Sequence, residues 1–155
     1  MITFYLHYTT ILQFTTIIRV PDNVPSEEAA LLEPLSVAVH ACRRAHVQVG
    51  QRILVQGAGI LAGFQTTRSG GVIVMVGLGA PRAELPIIDS AIREVDIRGV
   101  FRYANCYPTA LNLVASGRID LSGLTRAHYK LEETLEAFKR AQQADVIKVF
   151  ISCQK

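Results

Sequence analysis

Strands alternating with helices along this 155-residue chain predict an α/β fold. Three stretches carry the expectation. Val72-Ile-Val-Met-Val76 is an unbroken apolar run between Gly70-Gly71 and Gly77-Leu-Gly79, which predicts a strand covered on both faces in a parallel sheet. Gly57-x-Gly59-x-x-Ala62 follows a second apolar run, Arg52-Ile-Leu-Val-Gln56, as a glycine turn follows a buried strand. Ala110, Leu113, Val114 and Gly117 fall at i, i+3, i+4 and i+7, the spacing of one helix face.

Taken in order, residues 1–18 (MITFYLHYTTILQFTTII) form an N-terminal extension rich in β-branched and aromatic residues. Its threonines and Gln13 interrupt any secretory apolar core, and it falls short of the ~20 apolar residues of a membrane span. Pro21 and Pro25 mark a turn-rich boundary. Ser26 then caps a helix whose first turn holds Glu27 and Glu28, acids that suit the positive helix end. A second helix is expected from about Leu35 to Ala45, with Pro34 near its first turn. Residues 47–51 read as a turn, and 52–56 as a short buried strand. After the 72–76 strand come a short helix over about 86–94, a strand over 95–101 and a helix over about 108–116 that Gly117 ends. Leu131, Leu135 and Phe138 repeat the helical spacing, with Glu132 and Glu133 at the start and Lys139 and Arg140 at the end. Residues 147–153 read as the last strand.

Half the residues are apolar and 19% are charged, which excludes a disordered, highly charged tail protein. The net charge of +3 is not gathered into a basic stripe, so a dedicated nucleic-acid binder is not expected. Arg43-Arg44 and Lys139-Arg140 read as solvated helix faces. Cys42, Cys106 and Cys153 are odd in number and form no C-x-x-C, which fits a reducing, cytoplasmic setting.

Several patterns could carry chemistry. In Gly57-x-Gly59-x-x-Ala62 the first glycine would make a tight turn and the second would admit a pyrophosphate, with a helix N-terminus behind it. Residues 57–71 leave little space before the next strand, whereas a βαβ unit takes about 30 residues or more. The nearest following acid, Glu84, lies beyond the 72–76 strand, whereas a ribose-binding acid stands about 20 residues on. A plain glycine turn therefore stays open as the alternative. His40 and Cys42 point to different sides of a helix, and Cys42 with His46 supplies only two ligands, so no metal site is expected. No serine sits on a G-x-S-x-G elbow. Glu33, in the apolar run Leu31-Leu-Glu-Pro-Leu35, is either a surface acid or a functional carboxylate.

Longer runs carry a resemblance. Val20-Pro-Asp-Asn-Val24, Glu28-Ala-Ala-Leu-Leu-Glu-Pro-Leu-Ser-Val37, His40-Ala-Cys-Arg-Arg44, Arg52-Ile-Leu-Val-Gln-Gly-Ala-Gly59, Thr67-Arg-Ser-Gly-Gly71, Val76-Gly-Leu-Gly79 and Ala91-Ile-Arg-Glu-Val-Asp-Ile-Arg-Gly-Val-Phe-Arg-Tyr103 resemble the sorbitol (polyol) dehydrogenases, of the zinc-containing medium-chain alcohol dehydrogenase family. The resemblance runs from about Arg19 to the end. It implies NAD and zinc as cofactors and a hydride transfer that oxidises a secondary alcohol of a small polyol to a ketone. Glu33, Arg102 and Tyr103 match substrate-contacting residues. Gly57 and Gly59, with Ile60 after them, match the phosphate turn, and Val76, Gly77, Leu78, Val100, Phe101 and Arg102 match cofactor-contacting stretches.

The departures shape the expectation. The family's zinc ligands lie in a GroES-like N-terminal domain, and residues 1–18 stand in its place. The family turn reads Gly-Ala-Gly-Pro-Ile-Gly where this chain has Gly57-Ala-Gly-Ile-Leu-Ala-Gly63, and the chain then passes almost at once to the late Thr67–Gly71 stretch. The resemblance thus implies an internally deleted form: an interdomain helical segment over 19–48, a shortened Rossmann-like parallel sheet flanked by helices over 49–103, and the C-terminal remnant of the catalytic domain over 104–155. Such a chain is expected to be inactive alone. The alternative is a non-catalytic remnant, unstable or associating with full-length subunits or its own copies: strands 52–56 and 72–76 either pair directly with each other or leave bare apolar edges that invite aggregation or pairing with another chain.

Overall fold

The computed structural model describes residues 18–57 and 60–153, Ile60 by its backbone alone. Most of the predicted N-terminal extension and Gly59 of the glycine turn lie outside the described residues. Two compact units divide the chain. One comprises the residues up to Leu32 together with Leu111–Lys155, and the other runs from Glu33 to Ala110.

Helix α1 (Ser26–Ala45) is a single helix of 20 residues, where the sequence predicted two. Pro34 lies inside it. Proline removes one amide donor, yet Leu31, Leu32 and Ser36 around it are buried, and that anchorage carries the helix through. Its charge order agrees with the helix dipole: Glu27 and Glu28 in the first turn, Arg43 and Arg44 in the last.

The unit from Glu33 to Ala110 holds α2 (Ile60–Thr66), β1 (Val72–Val76), α3 (Ile87–Ile92), β2 (Asp96–Val100) and the start of α4 (Tyr107–Ala115). β1 and β2 pair in parallel, Val72 opposite Asp96 through Val76 opposite Val100. Phe64 of α2 is fully buried. Arg93 donates to the carbonyls of Phe64 at 2.7 Å and Thr67 at 2.5 Å, and pairs with Asp89 at 2.6 Å, so one guanidinium serves the last turn of α2 and fixes α3. Gly71 is needed here, because a Cβ on it would lie 2.7 Å from the carbonyl oxygen of Arg68.

Two expectations fail in this unit. Residues 51–56 form no strand, and Ile53, Leu54 and Val55 are exposed, Val55 by 89%. An apolar run becomes a strand only where a neighbouring ladder takes its amides and an opposing layer covers its side chains. β1 finds its partner in β2, so 52–56 and 72–76 do not pair. Nor is β1 covered on both faces: none of its five residues is fully buried.

The other unit pairs β3 (Arg126–Lys130) with β4 (Lys148–Ser152), again in parallel, under α5 (Thr134–Arg140). β4 was expected; β3, with Arg126, His128 and Lys130 in it, was not. A short 3₁₀ turn, Leu131–Glu133, precedes α5, and Glu133 accepts the Lys130 amide at 2.8 Å. The core here is Ala137, Val149 and Ile151, with Ala127, Tyr129, Ala141 and Val146 packed against it. The apolar positions that predicted this helix are not the ones it buries. Leu135 and Phe138 are exposed, and Ala137 faces the sheet. Gly117 ends α4 with φ +68°, donating to the carbonyl of Val114.

Candidate functional site

The parallel register sets the carboxyl ends of β1 and β2 side by side, Val76 opposite Val100. In open parallel sheets this edge is where ligands bind. Gly77 and Leu78 follow β1, and Phe101, Arg102 and Tyr103 follow β2. Gly77 has φ +108°, a conformation that a side chain would strain, with nothing within 4 Å of where a Cβ would stand. Leu78 is 93% exposed and Phe101 73%, so the edge is an open apolar ledge. The Arg102 guanidinium lies over the Phe101 ring, 5.5 Å from its centre. Val76, Gly77, Leu78, Val100, Phe101 and Arg102 are thereby gathered on one edge.

The glycine turn is placed differently. Gly57 sits at an exposed bend after the irregular 51–56 stretch, so no strand leads into it. Ile60 opens α2, a helix of only seven residues.

Tyr103 belongs to a second group, on which Glu33 acts only through its charge. The Tyr103 and Tyr107 hydroxyls are 3.2 Å apart, and their rings meet edge to face with centres 5.0 Å apart. Burial pushes the Tyr107 phenol well above the usual tyrosine range, helped by the hydrogen bond to Tyr103, its charge and that of Glu33. Sequence reasoning passed Tyr107 over. The available signal was its i+4 spacing from Tyr103 ahead of the helix predicted from Pro108.

Arg43 and Arg44 are exposed, as a solvated face requires, and they also make hydrogen bonds: Arg43 donates to Asn105 and Thr109, and Arg44 donates to Gly99. In the other unit Glu27 accepts from Arg126 at 3.0 Å and lies 2.8 Å from His128 Nε2. The His128 ring stacks on Phe150, centres 5.3 Å apart. The Arg126 hydrogen bond holds the Glu27 carboxyl below its usual range; partial burial opposes this, and His128 adds to it.

Among the described residues no three His, Cys, Asp or Glu side chains come together as metal ligands. Cys42 and Cys153 are exposed and Cys106 is buried, all three as free thiols. None of the helices among the described residues is long and apolar enough to cross a membrane.

No protein-family model matches the chain. It is 31% identical over 209 residues to the sorbitol dehydrogenase of Gallus gallus, an alignment that takes in 87% of this chain and 59% of that protein. Against the sorbitol dehydrogenase of Ovis aries the identity is 32%, with the same shares. The chain is a partial homologue of the sorbitol dehydrogenases. It spans about 59% of the length of these relatives. The aligned 209 residues exceed the chain's own 155, so these sorbitol dehydrogenases carry internal residues that have no counterpart here.

Solved dehydrogenases share the fold of this chain. The 2R,3R-butanediol dehydrogenase of Bacillus subtilis superposes with a TM-score of 0.74 at 17% identity, over 88% of this chain and 60% of that one. L-idonate 5-dehydrogenase of Escherichia coli gives 0.71 at 22%, over 87% and 60%. A short chain alcohol dehydrogenase of E. coli, solved with NADH, gives 0.71 at 12%, over 87% and 62%.

Proposed function

We propose that this chain descends from an NAD-dependent polyol dehydrogenase and keeps part of its cofactor-facing and substrate-facing surface without its catalysis. The strand-end edge is the observation that carries this reading. Val76, Gly77 and Leu78 lie beside Val100, Phe101 and Arg102, and suit the flat, half-apolar surface of a dinucleotide. NAD, when bound, supplies the hydride acceptor. Tyr103 and Tyr107 offer two paired phenols, with the charge of Glu33 acting on Tyr107, which suit a ligand rich in hydroxyl groups.

Two further parts do not fit. No strand leads into Gly57, so the strand-then-turn setting of a pyrophosphate site is missing among the described residues. Zinc finds no ligand set among the described residues. No hydride step is therefore assigned to this chain alone. The alternative reading, a chain that acts only through other subunits, draws support from the exposed Ile53-Leu54-Val55 stretch and the thinly covered β1–β2 pair.

A thermal melt with and without excess NAD tests the proposal. A cooperative transition raised modestly by NAD is expected, since a ligand stabilises only the state that binds it. A melt indifferent to NAD would remove the cofactor surface. Turnover of sorbitol by the purified, zinc-supplemented chain would overturn the loss of catalysis.

A further inference from the structure

The connection from β2 to α4 carries Arg102 and Tyr103, and it is strained. Arg102 has φ +52° and Asn105 φ +53°, both in the left-handed region, which costs Arg102 more than asparagine, a residue that adopts it more readily. Such conformations persist only where the surroundings over-determine them.

The last turn of α1 supplies that constraint. Arg43 Nη1 donates to the Asn105 carbonyl at 3.1 Å and to Cys106 Sγ at 3.4 Å, and Nη2 donates to Thr109 Oγ1 at 2.7 Å. The buried Cys106 thiol in turn donates to the Ala104 carbonyl at 3.1 Å. Arg44 Nε donates to the Gly99 carbonyl at 3.3 Å, and Arg98 Nη1 returns a donation to the Arg44 carbonyl at 2.8 Å. The connection is thus gripped before, within and after the residues that bear Arg102 and Tyr103. The planar fork of Arg43 reaches three acceptors at once, a geometry the single ammonium of lysine does not reproduce.

We propose that Arg43 is a positioning residue: it holds the strained 101–106 turn so that Arg102 and Tyr103 stay at the strand-end edge and Tyr103 stays against Tyr107. The proposal rests on the reading of Arg102 and Tyr103 as ligand-contacting residues.

Arg43→Lys tests it through two readouts that need neither cofactor nor polyol. The first is amide hydrogen exchange, with β1 as the internal control; the second is the ultraviolet phenolate titration. Exchange over 101–107 is expected to rise about tenfold or more while 72–76 keeps its protection, as for local opening. Tyr107, held high chiefly by burial and secondarily by Tyr103, is expected to titrate somewhat lower as Tyr103 leaves it. Adding Asn105→Gly to Arg43→Lys relieves the left-handed strain and should restore part of the protection. Unchanged exchange over 101–107, or equal loss over 72–76, would overturn the proposal. Should Arg43→Lys fail to fold, Thr109→Val removes one acceptor at nearly constant shape. The same changes are then expected at smaller size, and a flat result again overturns the clamp. A melt indifferent to NAD would defeat the cofactor reading and leave these outcomes unaffected.

Discussion

β3 and β4 pair over five residues, as do β1 and β2, yet four of the five β4 residues are buried while none in β1 or β2 is. The ladders are alike in direction and length. What differs is cover. α5 lays Ala137 on Val149 and Ile151, whereas the β1–β2 pair leaves Val72, Met75, Val76 and Ile97 exposed. Backbone hydrogen bonds decide which strands pair, but they contribute only about 1 kcal/mol net apiece, so burial decides how firmly the pair is held. The sorbitol dehydrogenase relatives carry internal residues missing here, and the thin sheet lies in the part of the chain that follows the shortened glycine turn.

The largest effect should come from the one large side chain fully buried beside the thin sheet, among the described residues. Phe64→Ala is expected to lower stability by about 3–5 kcal/mol and to remove exchange protection from β1 and β2 while β3 and β4 keep theirs. Urea denaturation followed by hydrogen exchange reads both. Equal loss of protection in both sheets would mean that the units unfold together.

Val149→Ala should do the reverse, costing about 1.5–3 kcal/mol and opening β3–β4 first. A loss well under 1 kcal/mol would show the contrast in cover to be too small to matter.

A pH titration gives a smaller effect, confined to the well-covered unit. Glu27 is held below its usual range by Arg126, so its stabilising contribution is present above the ordinary carboxylate pKa. That contribution is lost as the pH falls through the lowered folded value. Urea midpoints should therefore decline below about pH 4.5, with Glu27→Gln flattening that part of the curve. A curve that Glu27→Gln leaves unchanged would remove the ion pair from the account.

The smallest effect is expected at the misplaced strand. Leu54 is 61% exposed, so Leu54→Ser should shift the urea midpoint by an amount equivalent to about 0.5 kcal/mol or less. A large loss would mean that 51–56 is covered after all.

Much of this was legible in the sequence. Val72–Val76 announced itself as an apolar run, the 95–101 and 147–153 stretches read as the strands that hold Asp96–Val100 and Lys148–Ser152, and Gly117 marked the end of α4. Other elements were opaque for definite reasons. β3 alternates polar and apolar residues because Arg126 and His128 turn to Glu27, a partner about a hundred residues away that no local pattern reveals. Pro34 suggested a helix break that the buried Leu31, Leu32 and Ser36 overrule. Residues 52–56 have the composition of a strand without a neighbour to make it one. At the site, the strand-end residues were found through family resemblance, and the parallel register gathers them. Tyr107 carried no motif, and Arg43 stood out only within the His40–Arg44 resemblance run and as half of a basic pair. Their contributions come from 3 Å contacts with residues four positions or some sixty positions away.

The bare Ile53-Leu54-Val55 stretch has a consequence for the chain's lifetime. Chaperones and proteases ordinarily wait for a protein to open, so turnover follows the small unfolded fraction. Here an apolar string beside Arg52 is on display in the folded molecule. Quality-control factors that bind such strings would engage the native chain directly, and its removal would follow its total abundance, independent of how rarely it unfolds.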